Sequence, residues 1–246
     1  MKAMRRKRDS WFATLLSLAA VFLVSVAISA REPTPALTLD ADTLWVVAPN
    51  QPEPIKRALK DVERDWYKVF GSRPLIVAER PTAWTGPVVC LGQGGASREL
   101  LGPDAPSGSE SFLLATRHDA AGRPALLATG ADIRGCIYAA YTLAEELLGV
   151  DPWYFWVDKE PVARESIEVP AGYDRRFGEP TFKYRGWFIN DEDLLSAFSP
   201  DPLRENAFSL EMSDRIHETL LRLRGNMIVP ATFPFPDERC QELAAR

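Results

Sequence analysis

The chain has 246 residues, 46% hydrophobic and 26% charged, with a formal net charge of −5. Those proportions suit one large or two small globular domains with a sizeable core. Residues 1–30 hold five of the 29 basic residues and one of the 34 acidic ones, which leaves the remainder at −9. A chain that acidic excludes nucleic acid as a partner, because phosphate binding needs clustered cations.

Lys2, Arg5, Arg6, Lys7 and Arg8 precede an uncharged apolar run from Trp11 to Ala30. Small residues at Ser25, Ala27 and Ser29 offer small-x-small cleavage sites, so residues 1–30 read as a signal peptide. The run also approaches the ~20 residues that span a bilayer. An uncleaved anchor, tethering the chain through residues 11–30, is therefore the alternative. In both cases the chain is expected to be exported, to the periplasm or the extracellular space. Residues 31–40, opening Arg31-Glu32-Pro33-Thr34-Pro35, read as a linker.

Cys90, Cys136 and Cys240 are odd in number and lack metal-site spacing. A Cys90–Cys136 bridge is open, with buried free thiols the favoured reading. His118 in a turn and His217 on a helix read as surface residues. No metal and no cofactor are expected.

Residues 41–175 read as a small mixed α/β domain. Leu44–Ala48 is a short apolar run, hence a strand. Ile55, Leu59, Val62, Trp66 and Val69 are spaced 4, 3, 4 and 3, which predicts a helix over Glu53–Phe70. Gly71 ends it and Pro74 blocks continuation. Leu75–Ala78 and Pro87–Leu91 are further strands. Gly92-Gln93-Gly94-Gly95-Ala96-Ser97 has Ser97 where a dinucleotide fingerprint needs Gly or Ala, and lacks the Gly-Lys-Ser/Thr of a P-loop. It reads as a plain turn. Glu110–Thr116 and Pro124–Gly130 form a hairpin around Asp119–Gly122. Asp132 caps a helix to about Leu148, with Ile133, Cys136, Ile137, Ala140, Tyr141, Ala144 and Leu148 on its buried face. Trp153-Tyr154-Phe155-Trp156 reads as an inter-domain packing cluster, with a sugar-stacking platform or a membrane-facing patch as the rivals. Tyr173–Phe177, between two Gly/Pro-rich turns, reads as the link to a second segment.

That segment, 180–246, begins with a strand over 182–190 that runs into Asp191, Glu192 and Asp193. A βα loop with Pro200 and Pro202 follows. A helix over about Phe208–Arg224 carries Met212, Ile216, Leu220 and Leu223 on one face, with Gly225 as C-cap. Asn226–Pro230 is a strand, and Asp237–Arg246 opens another helix. Carboxylates at the C-terminal end of a parallel strand are what a (β/α) barrel uses for its site. Paired carboxylates suit glycoside hydrolysis. Adjacent side chains on an extended chain diverge, however, so this trio is not by itself a catalytic pair.

The string Pro180-Thr181-Phe182-Lys183-Tyr184-Arg185-Gly186-Trp187-Phe188-Ile189-Asn190-Asp191-Glu192 resembles the opening barrel strand of glycoside hydrolase family 115, the xylan α-1,2-glucuronidases. The resemblance extends back through Ala131–Tyr138 and Gly149–Trp156, and forward through Leu220–Asn226. It implies an α/β fold: an α+β N-terminal module followed by the start of a (β/α)8 TIM barrel. It also implies an inverting hydrolase that removes (4-O-methyl)glucuronic acid from a glucuronoxylan-like polysaccharide, without a metal. Asp191 is then the substrate-pocket residue, with Asn190 and Glu192 as lesser candidates. The family's catalytic acid and base lie on later strands, with no matching positions here. From Thr181 to the end there are 66 residues, against the roughly 200 of a barrel. The chain is therefore expected to be the N-terminal part of a longer enzyme and inactive alone. The alternatives are a non-catalytic secreted carbohydrate-binding or assembly module, using Trp153, Tyr154 and Trp156, and a related barrel hydrolase acting on another sugar.

Overall fold

A computed structural model describes residues 35–189, 210–229 and 239–245. The fold is mixed α/β, built on a six-stranded, mostly parallel sheet. Its strands are β2 (Leu44–Val47), β3 (Leu75–Val77), β4 (Val88–Leu91), β5 (Phe112–His118), β6 (Pro124–Gly130) and β8 (Asp174–Phe177). The spatial order is β3-β2-β4-β6-β5-β8. β3, β2, β4 and β6 run parallel, and β5 is antiparallel to both β6 and β8.

Near-continuous apolar runs make these central strands, because helices cover both faces. On one face lie α1 (Glu53–Phe70) and α3 (Ile133–Glu146). They pack over Trp45, Val89, Leu91, Leu114, Leu126 and Ala128. On the other lies the short α2 (Gly95–Leu101), against Leu44, Val46, Val88, Cys90 and Leu127. The glycine segment after β4 is thus a turn that enters a helix, which its six residues did not announce.

α1 forms as its spacing predicts. Ile55, Leu59, Val62, Trp66 and Val69 are all buried, and Trp66 meets Trp45 edge-on with ring centroids 5.4 Å apart. Gly71 takes φ 74° and donates to the Tyr67 carbonyl, a left-handed C-cap. In α3, Asp132 accepts the Gly135 N–H at 2.8 Å, and Gly135 to Ala144 are all buried. Ile133, expected inside, is 39% exposed because it sits in the first turn, beyond the sheet's cover.

Two expected connections are strands. β1 (Pro35–Asp40) pairs antiparallel with β7 (Ser166–Pro170). Pro33 and Pro35 suggest a linker, but Leu37 and Leu39 alternate into the core. Tyr173–Phe177 contains β8, bonded along β5. Its charges suit an edge strand, where Arg175 and Asp174 pair with Glu146 and Arg117.

Beyond the sheet, β9 (Gly186–Phe188), α4 (Leu210–Arg222) and β10 (Met227–Val229) form a β-α-β unit, with β9 and β10 parallel. α5 (Arg239–Ala244) follows. β9 is shorter than the expected 182–190. In α4, Met212, Ile216 and Leu220 are buried as expected, but Leu223 is 39% exposed. The left-handed residue after α4 is Arg224 (φ 61°), not Gly225. Gly225 is needed for space instead: a Cβ there would stand 2.3 Å from Leu220. Among the described residues no helix is long and apolar enough to cross a membrane.

Candidate functional site

Asn190, Asp191 and Glu192 lie outside the described residues. What the structure describes is the strand that leads to them and what holds that strand in place. β9 enters through Tyr184-Arg185-Gly186. The Arg185 backbone N–H donates to the Asn226 side chain at 2.9 Å, and its carbonyl accepts from the Asn226 and Met227 N–H groups. Its guanidinium donates to the carbonyls of Phe182 and Arg224 and, at 2.5 Å, to Glu110. Gly186 has no alternative. A Cβ there would stand 1.6 Å from the Met227 carbonyl oxygen, so β10 can approach only a glycine.

Glu110 is the anchor. It is 5% exposed, holds φ 59°, and its N–H is bound by the second Asp132 oxygen at 2.8 Å. Its carboxylate accepts from Arg134, Arg185 and Asn226. Burial pushes its pKa upward, but those three donors outweigh burial and hold it below the usual carboxylate range. The Asp132 cap, the Glu110 turn and the Arg185 entry form one connected joint between the sheet domain and β9.

A second joint holds α4 against α1 and α3. Arg222, buried, bonds Asp65 at 2.6 Å and Glu218 at 2.8 Å. It lies over the rings of Tyr141 and Tyr154. Glu218 also accepts from Arg64, Arg215 and the Tyr154 hydroxyl. Asp61 accepts from Arg64 and Tyr141. Burial, then the nearby Glu218 charge, push Asp61 up to about 6. Glu218 is held below its usual range: burial opposes its charge, and Arg222 and Arg64 outweigh that. Two carboxyls pushed apart can mark an acid–base pair. Here each of the four carboxylate oxygens already accepts from a protein donor, so the cluster fastens helices together.

The aromatic cluster is spent on the same contact. Tyr154 is buried within the network, and the Trp156 indole N–H donates to Thr219 at 2.8 Å. Trp153, 44% exposed, stacks on Trp187. Trp156, Trp187, Ile189 and Ile228 pack on Met212 and Ile216. Packing, not a flat sugar platform, is what these residues form. His217, expected at the surface, is half-buried with its Nδ1 enclosed and unpartnered, and burial lowers its pKa. His118 is exposed as expected. Cys90 and Cys136 are free buried thiols. Among the described residues no three His, Cys, Asp or Glu side chains converge as a metal site would require.

Residues 177–246 match the family model described as Glycosyl hydrolase family 115. The match begins at the last residue of β8 and includes the whole β9-α4-β10 unit, and over it the resemblance to family 115 is borne out. A solved structure, of the family 115 4-O-methyl-α-glucuronidase BtGH115A with specificity for decorated arabinogalactans, matches with a TM-score of 0.66 at 23% identity. That alignment covers 85% of this chain and 28% of the glucuronidase chain. The likeness is therefore one of fold, and this chain spans under a third of that enzyme's length. The Streptomyces plicatus β-hexosaminidase D313N mutant matches at 17% identity over 80% of this chain and 32% of its own, with a TM-score of 0.48. Flavobacterium johnsoniae chitobiase matches at 14% identity over 80% and 26%, with a TM-score of 0.44. No curated protein matches the chain.

Sequence reasoning missed Glu110, Asn226, Asp65 and Arg222 as fastening residues. Asp65 had a signal: it falls inside the apolar stripe of α1 between Val62 and Val69, where a charge requires a buried partner. Glu110 had none, since its role comes from a left-handed backbone at a non-glycine residue.

Proposed function

We propose that this chain belongs to an exported glycoside hydrolase that removes (4-O-methyl)glucuronic acid side chains from a plant polysaccharide of the glucuronoxylan kind. The observation that carries this is the family 115 match over 177–246, lying on the unit whose first strand is held by Arg185, Glu110 and Asn226 and runs into Asn190-Asp191-Glu192. In this reading β9-α4-β10 opens a (β/α)8 barrel. Residues 41–175 are the N-terminal module, and residues 1–30 direct export or tether the chain to a membrane. Asp191, with Asn190 and Glu192 beside it, contacts the substrate at the C-terminal end of β9, where barrel enzymes place their chemistry. The catalytic acid and base belong to later strands. An inverting mechanism would place them about 6.5–9.5 Å apart with a water between.

The module reading through Trp153, Tyr154 and Trp156 has less support, because the Tyr154 ring is buried and the Trp156 indole is bonded to Thr219.

Titration of the 246-residue chain with a glucuronic-acid-decorated oligosaccharide, and with its undecorated parent, tests the reading. The decorated ligand is expected to bind more tightly, and Asp191→Ala to weaken it by about ten-fold or more, as one lost charge-assisted hydrogen bond does. Equal affinity for both ligands, or indifference to Asp191, would refute the assignment.

A further inference from the structure

The sheet has a feature that the proposed hydrolase does not use. After β2 the chain crosses through α1 to β3 on one side. After β4 it passes through α2, on the opposite face, to β5 on the other side, and the β5–β6 hairpin then brings it back to β6 beside β4. The loops that leave β2 and β4 therefore diverge. Open parallel sheets bind ligands in the crevice outside the strand carboxyl ends where this divergence occurs. A cavity of about 460 Å³ lies there, bounded by the ends of β2, β4 and β6. That is within the roughly 300–1,000 Å³ of small-molecule sites.

The cavity has a fixed wall and free recognition groups. Gln51, 4% exposed, donates its amide N–H to the Gln93 carbonyl and accepts the Gln93 N–H, both at 2.9 Å. Thr129 donates to the Gly92 carbonyl at 2.8 Å. Gly92, at φ 87°, must be glycine, since a Cβ would stand 2.6 Å from the Gln51 oxygen. These bonds set the loop before any ligand arrives. In contrast, no hydrogen bond or ion pair to the described residues engages the side chains of Asn50, Gln93 or Arg98, which all line the cavity. Among the described residues no carboxylate lines it.

We infer that this crevice is a binding site for a small polyhydroxylated carboxylate, a sugar acid of monosaccharide size. One guanidinium, with no carboxylate among the described lining residues, matches a monoanion: its planar fork pairs with a carboxylate through two parallel bonds. A phosphate dianion would call for more than one cation. The amides of Asn50 and Gln93 donate and accept, as hydroxyl groups require. Gly94, where a Cβ would meet nothing within 4 Å, leaves the backbone open to close approach. The inference stands on this cavity and does not need the hydrolase reading.

The test is titration of the full chain with D-glucuronate, D-glucose and inorganic phosphate, read by the amide chemical shifts of Gly92, Gly94 and Gly130. These report on this cavity and not on the end of β9. Glucuronate is expected to shift them saturably, glucose at least ten-fold more weakly, and phosphate not at all. Arg98→Gln should weaken glucuronate at least ten-fold, and Asn50→Ala several-fold. Both side chains are exposed, so both variants are expected to keep the wild-type spectrum elsewhere, and either alone suffices. Asp191→Ala should change nothing at these amides. The inference is overturned if glucuronate leaves the amides unmoved, if glucose or phosphate binds as well, or if the Arg98 and Asn50 variants bind like the parent.

Discussion

Arg222→Met separates the role of the buried network from that of ordinary packing. The methionine keeps most of the aliphatic stem but removes the guanidinium, whose carbon lies over the rings of Tyr141 and Tyr154. Glu218 would still accept from Arg64, Arg215 and Tyr154. Asp65 would not be so placed: its side chain is 1% exposed and Arg222 is its partner at 2.6 Å. Leaving one buried carboxylate uncompensated costs about 3–5 kcal/mol. In a chain of this length each kcal/mol moves the melting temperature by roughly 2–4 °C, so a fall of about 6–20 °C is expected. Adding Asp65→Leu removes the stranded charge, and the double variant should recover most of the loss, since an apolar replacement of a buried pair is often neutral or stabilising. The assay is thermal and urea unfolding at pH 7 of the parent, both single variants and the double variant, which together form a double-mutant cycle. A cost for Arg222→Met below about 1 kcal/mol, or a double variant no better than Arg222→Met alone, would refute the reasoning.

Three further outcomes follow from the same structure. Asp61 has a folded-state pKa raised to about 6, so its contribution favours folding below about pH 4 and is lost as pH rises through about 6. Asp61→Asn should therefore gain on the parent, by on the order of 1–3 kcal/mol, between pH 4 and pH 7 in unfolding experiments; a parallel pair of pH profiles would contradict this. Gly186→Ala should cost about 3 kcal/mol or more, the upper range of overpacking, and speed proteolysis between 183 and 229, since β10 cannot stay where a Cβ would meet its backbone at 1.6 Å. Burial pushes the Cys90 thiol up to about 12 and the Cys136 thiol to about 11. Peptide mass spectrometry should then find both unmodified by iodoacetamide at pH 8 in the native chain and modified after denaturation.

The sheet and its helices were legible because their signals are periodic and local. A 4-3-4-3 spacing needs one amphipathic environment, and α1 has it. The elements that were not legible depend on distant partners. β8 is a string of charges that becomes a strand only because β5 offers an open edge. β1 looks like a proline-containing linker until β7, more than 120 residues later, pairs with it. α2 follows a glycine turn that Gln51 clamps at Gln93, from 42 positions earlier in the chain.

The motif that carries the family resemblance divides into two parts with different physical jobs. Tyr184-Arg185-Gly186 lies at the N-terminal end of β9, where barrel residues serve stability and not chemistry. Arg185 spends its donors on two backbone carbonyls and on Glu110, and Gly186 makes room for β10. Asn190-Asp191-Glu192 follows β9 in the sequence, outside the described residues, and carries the substrate contact proposed above. Arg185 directly precedes the short strand β9, so a shift at Arg185 moves the start of that strand. Arg185→Lys should therefore act through position. It keeps the charge but loses the fork that reaches Phe182, Arg224 and Glu110 together. On the proposed substrate contact, this variant weakens binding of a decorated oligosaccharide although Arg185 spends its donors on Phe182, Arg224 and Glu110, and Glu110→Gln does the same through the same anchor. Unchanged binding in both variants, alongside a loss in Asp191→Ala, would show that Asp191 is placed without the joint.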